Sequence, residues 1–483
     1  MFLDRANIHV ACFRASTGDI ENAPALDNLP TFKLSQKNGF VYASGDEETI
    51  KRSRRKPKLT CSIAGDDKVV IVGGGSGAIG TLEALRENGF KGSITMISNE
   101  GYLPIDRTKL SKALIPDPVK IALRDETWFK SANIATVMEE VDHIDFSLKK
   151  VSTRQGTQYH YTKLVLATGG TPRILPLPGF KELGNIFVLR TVPHVKSILD
   201  AIGEKNKKIV IIGSSFIGME VANCVSKGND VTVVGMEKAP LERVMGEKVG
   251  KIFQKQLENN GVKFHMNAGV DKALPSEIDS SKVGSVALKD GIHLEADFVI
   301  LGTGVFPATT YLKDNKSVKL LNDGSLKVNE YFVVDGLNDV YAIGDIATYP
   351  YNGPGGNGAL VRIEHWNVAQ NAGRAAAAHI RNPNARPKPF IPIFWSALGA
   401  QLRYCGNTVG GWDDLVMQGQ PNEAKFAAFY TKGETVVAVA SMQMDPIMIQ
   451  ASELMRRGVM PGKSELQKGV NIMEISVPAD VTM

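Results

Sequence analysis

Lys68-Val69-Val70-Ile71-Val72-Gly73-Gly74-Gly75-Ser76-Gly77-Ala78 decides the fold of this 483-residue chain. The β-branched run reads as a short buried strand, the glycines as a tight turn, and Thr81–Asn88 as the helical pattern beyond it. Glycine is needed there because the turn is sharp and the backbone must come close to a pyrophosphate lying on the helix N-terminus. The layout returns 140 residues later as Lys208-Ile209-Val210-Ile211-Ile212-Gly213-Ser214-Ser215-Phe216-Ile217-Gly218, with Met219–Val225 as its helical pattern. One such motif is a weak signal. Two, each in a strand–turn–helix setting, point to two bound dinucleotides, one a flavin and the other a nicotinamide.

Around these turns the chain reads as doubly wound α/β. Ser93–Ile97 is the next parallel strand, and Glu100 follows about 25 residues after the first glycines, where an acid accepts hydrogen bonds from a ribose diol. Leu164–Ala167 is another buried strand, ending in Ala167-Thr168-Gly169. Phe298–Leu301 leads into Gly302-Thr303-Gly304, and Val340–Ile343 into Gly344-Asp345. Near the C-terminus Lys425–Tyr430 and Thr435–Ser441 flank Thr431-Lys432-Gly433-Glu434 as a β-hairpin, and Pro446–Arg457 has helical periodicity.

Composition sets the bounds. A chain of this length holds about three domains at roughly 150 residues each. It is 43% hydrophobic and 22% charged, and its net charge of +5 is too mild to argue for nucleic acid. No apolar run approaches membrane-spanning length, and the N-terminus lacks a secretory layout. Cys12, Cys61, Cys224 and Cys405 are scattered, which suits a reducing compartment (the cytoplasm, or alternatively the mitochondrion) and gives no metal spacing. The basic run Lys51–Lys58 is compatible with a nuclear address or a nucleic-acid patch, but its plainer reading is a solvated linker. Nucleic acid is not an expected partner.

Further motifs carry a resemblance. They are Leu103-Pro104-Ile105-Asp106-Arg107-Thr108-Lys109-Leu110-Ser111-Lys112, Ala167-Thr168-Gly169 with Pro172-Arg173, Gly218-Met219-Glu220, Tyr341-Ala342-Ile343-Gly344-Asp345 and Glu364-His365-Trp366. With the two glycine turns, and in this order, they make the chain from Asp67 onward resemble the two-dinucleotide flavoprotein reductases, most closely those like apoptosis-inducing factor and the ferredoxin reductases. The resemblance implies a glutathione-reductase-like fold: an FAD-binding domain over 66–191 and 305–388, an inserted NAD(P)-binding domain over 192–304, and a C-terminal α/β domain over 389–483. That last domain would cover the flavin, with Phe394-Trp395-Ser396 near its start.

The first residues have their own likeness. His9-Val10-Ala11-Cys12-Phe13, followed by Thr17-Gly18-Asp19-Ile20-Glu21-Asn22-Ala23-Pro24-Ala25, looks like the tail of a Rieske iron–sulfur domain. Such a cluster needs two Cys and two His ligands. Only His9 stands at a ligand position, and Ala6 occupies the place of the expected cysteine. No iron–sulfur cluster is therefore expected in residues 1–65, read as a Rieske remnant and basic linker. A decayed domain and a sequence starting at an internal methionine are both open, and Rieske-fused, apoptosis-inducing-factor-like proteins are the implied nearest relatives.

For the site, the resemblance implies FAD held by Gly73, Gly75, Ser76, Gly77 and Ala78, with Glu100 at the adenosine ribose, Arg107 at the pyrophosphate and Asp345 beside Gly344 at the ribitol. Ala167, Thr168, Gly169, Arg173, His365 and Trp366 complete that set. NAD(P)H falls to Gly213, Ser215, Phe216, Ile217, Gly218, Glu220, Glu237 and Gly304. Lys112 is expected to place a cation near the flavin N5, paired with Glu220, so that the reduced anionic flavin is stabilised. Two departures concern the second turn. Ser215 replaces the middle glycine and is expected to crowd the pyrophosphate slightly, and Gly235 stands where an NAD-specific enzyme commonly has an acid. Glu237, two residues on, would substitute and favour NADH mildly over NADPH.

Absence matters equally. The segment Gly101–Leu114 contains no cysteine, so thiol–disulfide chemistry at that position is excluded. Electrons must leave the flavin for an iron–sulfur protein or a small-molecule oxidant. The alternatives are a monodehydroascorbate- or quinone-type reductase, and a slow NADH-sensing flavoprotein of the apoptosis-inducing-factor kind with a signalling role. A monomer or homodimer is expected.

Overall fold

Lys68–Val72 is the middle strand of a five-stranded parallel sheet, ordered Val340–Ala342, Lys163–Leu166, Lys68–Val72, Ser93–Ile97, Ile134–Val137 in the computed structural model. The structure describes residues 5–8, 11–14, 17–52, 54–57, 59, 63–204, 206–387, 390–397 and 400–476. Val69 to Val72 are all at most 4% exposed, as a parallel strand covered on both faces requires. The sheet takes its last strand from about 170 residues downstream, so the fold closes around whatever lies between.

That intervening stretch builds a second sheet of the same design. Its order is Ile186–Val188, Phe298–Leu301, Lys208–Ile212, Asp230–Val234, Lys263–His265, again parallel with the pre-glycine strand in the middle. Where the chain leaves and re-enters the first unit, Gly170–Pro172 pairs antiparallel with Val305–Pro307. The strands anticipated from the β-branched runs are present within a residue or so at each end.

Two helices pack closely over the first sheet, Ser76–Glu87 and Trp366–Arg381. A Cβ on Gly80 would sit 2.2 Å from the Gln370 carbonyl oxygen, and one on Gly373 2.2 Å from that of Gly77. Only hydrogen fits at this crossing. It draws Trp366, on the first turn of the later helix, over the glycine turn.

The C-terminal sheet is antiparallel, ordered Ile393–Ala397, Gln401–Gly406, Thr435–Met442, Lys425–Lys432, Asp414–Gln420. The expected four-residue turn is shorter than read. Thr431 and Lys432 stay paired with Val436 and Thr435, and Gly433, at φ +57°, closes the hairpin with Glu434. The helix Ile447–Arg456 packs its buried Met448, Ala451 and Leu454 on this sheet.

The N-terminal segment is docked, not free. Its strands Arg5–Ile8, Ala11–Arg14 and Ile20–Asn22 form a small antiparallel sheet. The Ala23 N–H donates to Asn371 Oδ1 and its carbonyl accepts from Asn367 Nδ2, both on the Trp366–Arg381 helix. Buried Arg124 reaches Asp27 Oδ1 at 2.6 Å and Glu83 Oε1 at 2.7 Å. The basic run makes contacts with this unit: half-buried Arg55 pairs with Asp19 at 2.6 Å, while exposed Arg54 and Lys51 lie 3.7 Å from Asp27 and 2.6 Å from Glu47 at the surface. Read as a solvated linker, the run is therefore partly structural. His9, Ser53, Lys58 and Cys61 lie outside the described residues. Among the described residues no helix is long and apolar enough to cross a membrane, and no group of His, Cys, Asp and Glu could hold a metal ion.

Candidate active site

The two glycine turns differ in what each position does. At Gly73 φ is +117°, and a Cβ would lie 2.2 Å from the Ala167 carbonyl oxygen; Gly213, at φ +108°, stands 2.4 Å from that of Gly302 in the same sense. These two are glycine because strands cross beneath them. Gly75 has ordinary backbone angles and no atom within 4 Å of where a Cβ would be. Its hydrogen therefore keeps open a space above the helix start. The Ser76–Glu87 helix begins with no side-chain cap and no acid in its first turn, so its unpaired N–H groups and positive end face that space. An open cradle ending in uncapped N–H groups fits the pyrophosphate of a dinucleotide such as FAD.

The first turn and the helix that follows the second share the wall of one cavity of about 210 Å³. Its wall takes Gly75, Ser76 and Gly77 from the first turn, and Phe216, Ile217 and Glu220 from the helix Phe216–Val225 after the second. Arg107, Lys112, Ala167, Gly169, Gly344, Asp345, His365 and Trp366 complete it, closed over by Phe394, Trp395 and Ser396 of the C-terminal sheet. Residues scattered over about 320 positions thus share one chamber.

Its electrostatic centre is the pair expected from the sequence. Lys112 Nζ lies 2.9 Å from Glu220 Oε1, with the two side chains 17% and 5% exposed. Removing one partner of so buried a pair would strand the other charge, which typically costs about 3–5 kcal/mol. At the opposite wall Arg190 holds Asp345 at 2.8 Å. His365 is half-buried, and desolvation of its ring followed by the nearby Lys112 charge pushes its pKa down to about 3, so the ring is neutral at physiological pH. Its Nδ1 accepts from the Asn367 N–H at 3.3 Å, which puts the proton on Nε2. An aromatic layer seals the chamber: Phe394 meets Phe216 edge-on at 4.8 Å, stacks on Tyr404 at 4.8 Å, and lies 5.0 Å from His365.

Other residues singled out from the sequence lie outside this wall or are spent on neighbours. Glu100 forms a two-pronged ion pair with Arg107 (2.6 and 2.7 Å), so the acid and base read as separate contacts are partners here. Thr168 donates to the Ala308 carbonyl at 2.8 Å, and Arg173 is spent on the Val305 carbonyl with its guanidinium over the Phe306 ring at 4.0 Å. Gly73, Ala78, Gly213 and Gly218 are packing positions, while Gly304 faces open space at φ +90°. Ser215 is turned back: its hydroxyl donates to the Gly302 carbonyl at 3.0 Å, which satisfies it within the turn. Glu237 accepts from the Ser214 hydroxyl at 3.2 Å and pairs with Arg243 at 2.9 Å, beside the second turn.

Neither cysteine described as free lines the chamber. Cys224 is half-buried and Cys405 buried, and burial pushes both thiols upward, away from reactive thiolate. Arg190 and the hydroxyl of Ser396 went unread as site groups. Arg190 belongs to no motif, and only the placement of Phe394-Trp395-Ser396 over the flavin hinted at the other.

Comparison with known proteins agrees with this geometry. A family model described as pyridine nucleotide-disulphide oxidoreductase matches residues 67–373, and a second, described as reductase C-terminal, matches 393–473. The chain is 35% identical to apoptosis-inducing factor 3 of Homo sapiens over 468 residues, 95% of this chain and 75% of that protein. It is 29% identical to rubredoxin-NAD(+) reductase of Pseudomonas putida over 390 residues, 78% of this chain and 96% of the relative. The solved covalent complex of putidaredoxin reductase with putidaredoxin superposes with a TM-score of 0.78 at 27% identity, over 85% of this chain and 98% of that one. The first family model runs through both glycine turns and every motif between them, and this chain belongs to the pyridine nucleotide-disulphide oxidoreductase family.

Proposed function

We propose that this chain is an FAD-dependent oxidoreductase that takes hydride from NAD(P)H and passes electrons to an iron–sulfur protein. The observation that carries the reading is the shared chamber, whose wall takes residues of both glycine-turn helices together with the Lys112–Glu220 pair and no described cysteine. We read 66–172 with 305–388 as the FAD unit, 173–304 as the NAD(P) unit and 389–483 as the cover; the boundary expected at 191 moves back because Ile186–Val188 pairs into the second sheet.

FAD, when bound, supplies a centre that accepts hydride two electrons at a time and releases electrons singly. The chain's residues do the rest. Gly75, Ser76 and Gly77 cradle the pyrophosphate, and Asp345, held by Arg190, takes the ribitol. Lys112 supplies positive charge, kept in place by Glu220. Phe216, Phe394 and Trp395 exclude water, and neutral His365 offers a donor without adding charge. The names of the similar rubredoxin-NAD(+) reductase and of the putidaredoxin reductase complex support a small iron–sulfur acceptor. Residence in the cytoplasm or mitochondrion belongs to the same reading, supported by the thiols left free.

The test is anaerobic stopped-flow mixing of the purified flavoprotein with NADH, then with a [2Fe–2S] ferredoxin. Bleaching of the flavin within seconds, and reoxidation only when ferredoxin is added, supports the proposal. A second reading, a slow NADH-sensing flavoprotein, is favoured by the similarity to apoptosis-inducing factor 3, which extends over the N-terminal unit. A persistent long-wavelength band with turnover slower than minutes would overturn the first reading in favour of the second.

A further inference from the structure

Glu220 receives more than the lysine. Ser111 Oγ lies 2.5 Å from its Oε2, and Ser396 Oγ lies 2.5 Å from its Oε1, the oxygen that Lys112 Nζ approaches to 2.9 Å. The three donors come from two separate parts of the fold, and the acceptor from a third. Ser111 and Lys112 lie on the short helix Thr108–Lys112, Glu220 on the helix after the second glycine turn, and Ser396 on the edge strand of the C-terminal sheet. All the oxygens involved are buried: Ser111 is 8% exposed, Glu220 4% and Ser396 3%.

A hydroxyl has one proton to give. Ser111 has a second acceptor, the Thr108 carbonyl, but at 3.5 Å, so the shorter bond to the charged carboxylate holds its proton. Ser396 has no such alternative among the bonds described, and its strand is pinned in register, Ser396 opposite Leu402. The backbone of the C-terminal sheet therefore fixes where Oε1 of Glu220 sits. A lysine side chain carries about 2 kcal/mol of rotamer freedom and follows its counter-ion. Where Oε1 goes, the ammonium goes.

We propose that Ser396 is a positioning residue for Lys112, acting through Glu220, so that docking of the C-terminal domain sets the position of the cation beside the flavin. The inference rests on the assignment of FAD to the first glycine turn. It gives the cover a second role, since a shift of its edge strand would relocate charge at the redox centre. Ser111 anchors the other carboxylate oxygen, so that loss of the Ser396 donor leaves Glu220 in the site but lets its Oε1 pivot about that anchor.

The experiment measures the flavin midpoint potential and the NADH dissociation constant in the FAD-loaded protein, for wild type, Ser396→Ala, Ser396→Thr and Ser111→Ala, and for Ser396→Ala in a Lys112→Met background. FAD content is measured first: a wild-type protein that binds no FAD sinks the assignment on which the inference rests and leaves the serine geometry unaffected. Given bound flavin, Ser396→Ala is expected to move the reduction equilibrium three- to tenfold against the reduced form, tenfold being about 30 mV for a two-electron couple. NADH affinity should stay within twofold, Ser396→Thr should recover the potential, and Ser111→Ala should give a smaller shift in the same direction. In the Lys112→Met background Ser396→Ala should add nothing. An unchanged potential in Ser396→Ala, or an equal shift with and without Lys112, overturns the proposal. If Ser396→Ala fails to fold, Ser396→Cys, whose thiol is a weak donor, measured with and without Lys112 decides it by the same criterion.

Discussion

Replacing Glu83 with glutamine should flatten the dependence of stability on pH between about 4.5 and 7. Glu83 lies on the helix behind the first glycine turn and is 1% exposed. Its Oε1 accepts from Arg124, while its Oε2 has no hydrogen-bond partner. Burial pushes the carboxyl from 4.5 up to about 7; the Arg124 charge opposes that push, and the neighbouring Glu87 adds to it. In the unfolded chain the group ionises near its ordinary value. Between the two values the folded protein holds a proton that the unfolded chain has released, so stability falls as pH rises across this window and levels off above about pH 7. Each unit is worth about 1.4 kcal/mol, and the window therefore spans roughly 3 kcal/mol. For a unit of this size that is roughly 6–12 °C in melting temperature. The amide in Glu83→Gln cannot titrate. Melting wild type and Glu83→Gln from about pH 4.5 to 8 at constant ionic strength should give curves that diverge steadily up to about pH 7 and run parallel beyond it. Curves parallel throughout would falsify the reasoning, because the slope would then come from other groups.

Two substitutions probe the nucleotide turns. Gly75→Ala should fold with little loss of stability, since a Cβ there meets no atom within 4 Å, yet lose at least tenfold in FAD affinity; flavin absorbance per protein alongside the melting curve would show this, and full FAD content would count against the cradle. Glu237→Gln should raise the NADPH-to-NADH ratio of kcat/KM about tenfold, because Arg243 is released from the carboxylate to meet a 2′-phosphate; an unchanged ratio would remove Glu237 from coenzyme choice.

What could be read from the sequence was local pattern. The strands before the glycines are buried on both faces, so their β-branched runs stand out, whereas the carbonyls that require Gly73 and Gly213, those of Ala167 and Gly302, lie about 90 positions downstream. The Lys112–Glu220 pair was legible only because both residues fall at family positions. Its 2.9 Å contact joins residues more than 100 positions apart, which no periodicity encodes. The third participant, Ser396, was hidden for the same reason: a serine in an apolar strand carries no sign of the carboxylate it meets across a domain boundary. Ser215 illustrates a subtler limit. Replacement of a glycine reads as crowding until the hydroxyl is seen returning to the Gly302 carbonyl. In the basic run charge density suggests solvent, and Lys51, Arg54 and Lys56 are exposed; what the pattern does not show is the partner of Arg55, Asp19 at 2.6 Å.

The pairing of Gly170–Pro172 with Val305–Pro307 makes the stretch between them, proposed above as the NAD(P) unit, a cassette. Its two ends leave the host side by side as hydrogen-bonded neighbours, so the host gives up almost no loop-closure entropy to carry it. A short turn from Pro172 to Val305 would close the flavin unit without it, and a different insert with equally close ends would fit the same socket. The choice of electron donor is in this sense detachable from the flavin chemistry. At the redox centre, a replacement would have to rebuild the Lys112–Glu220–Ser396 contact.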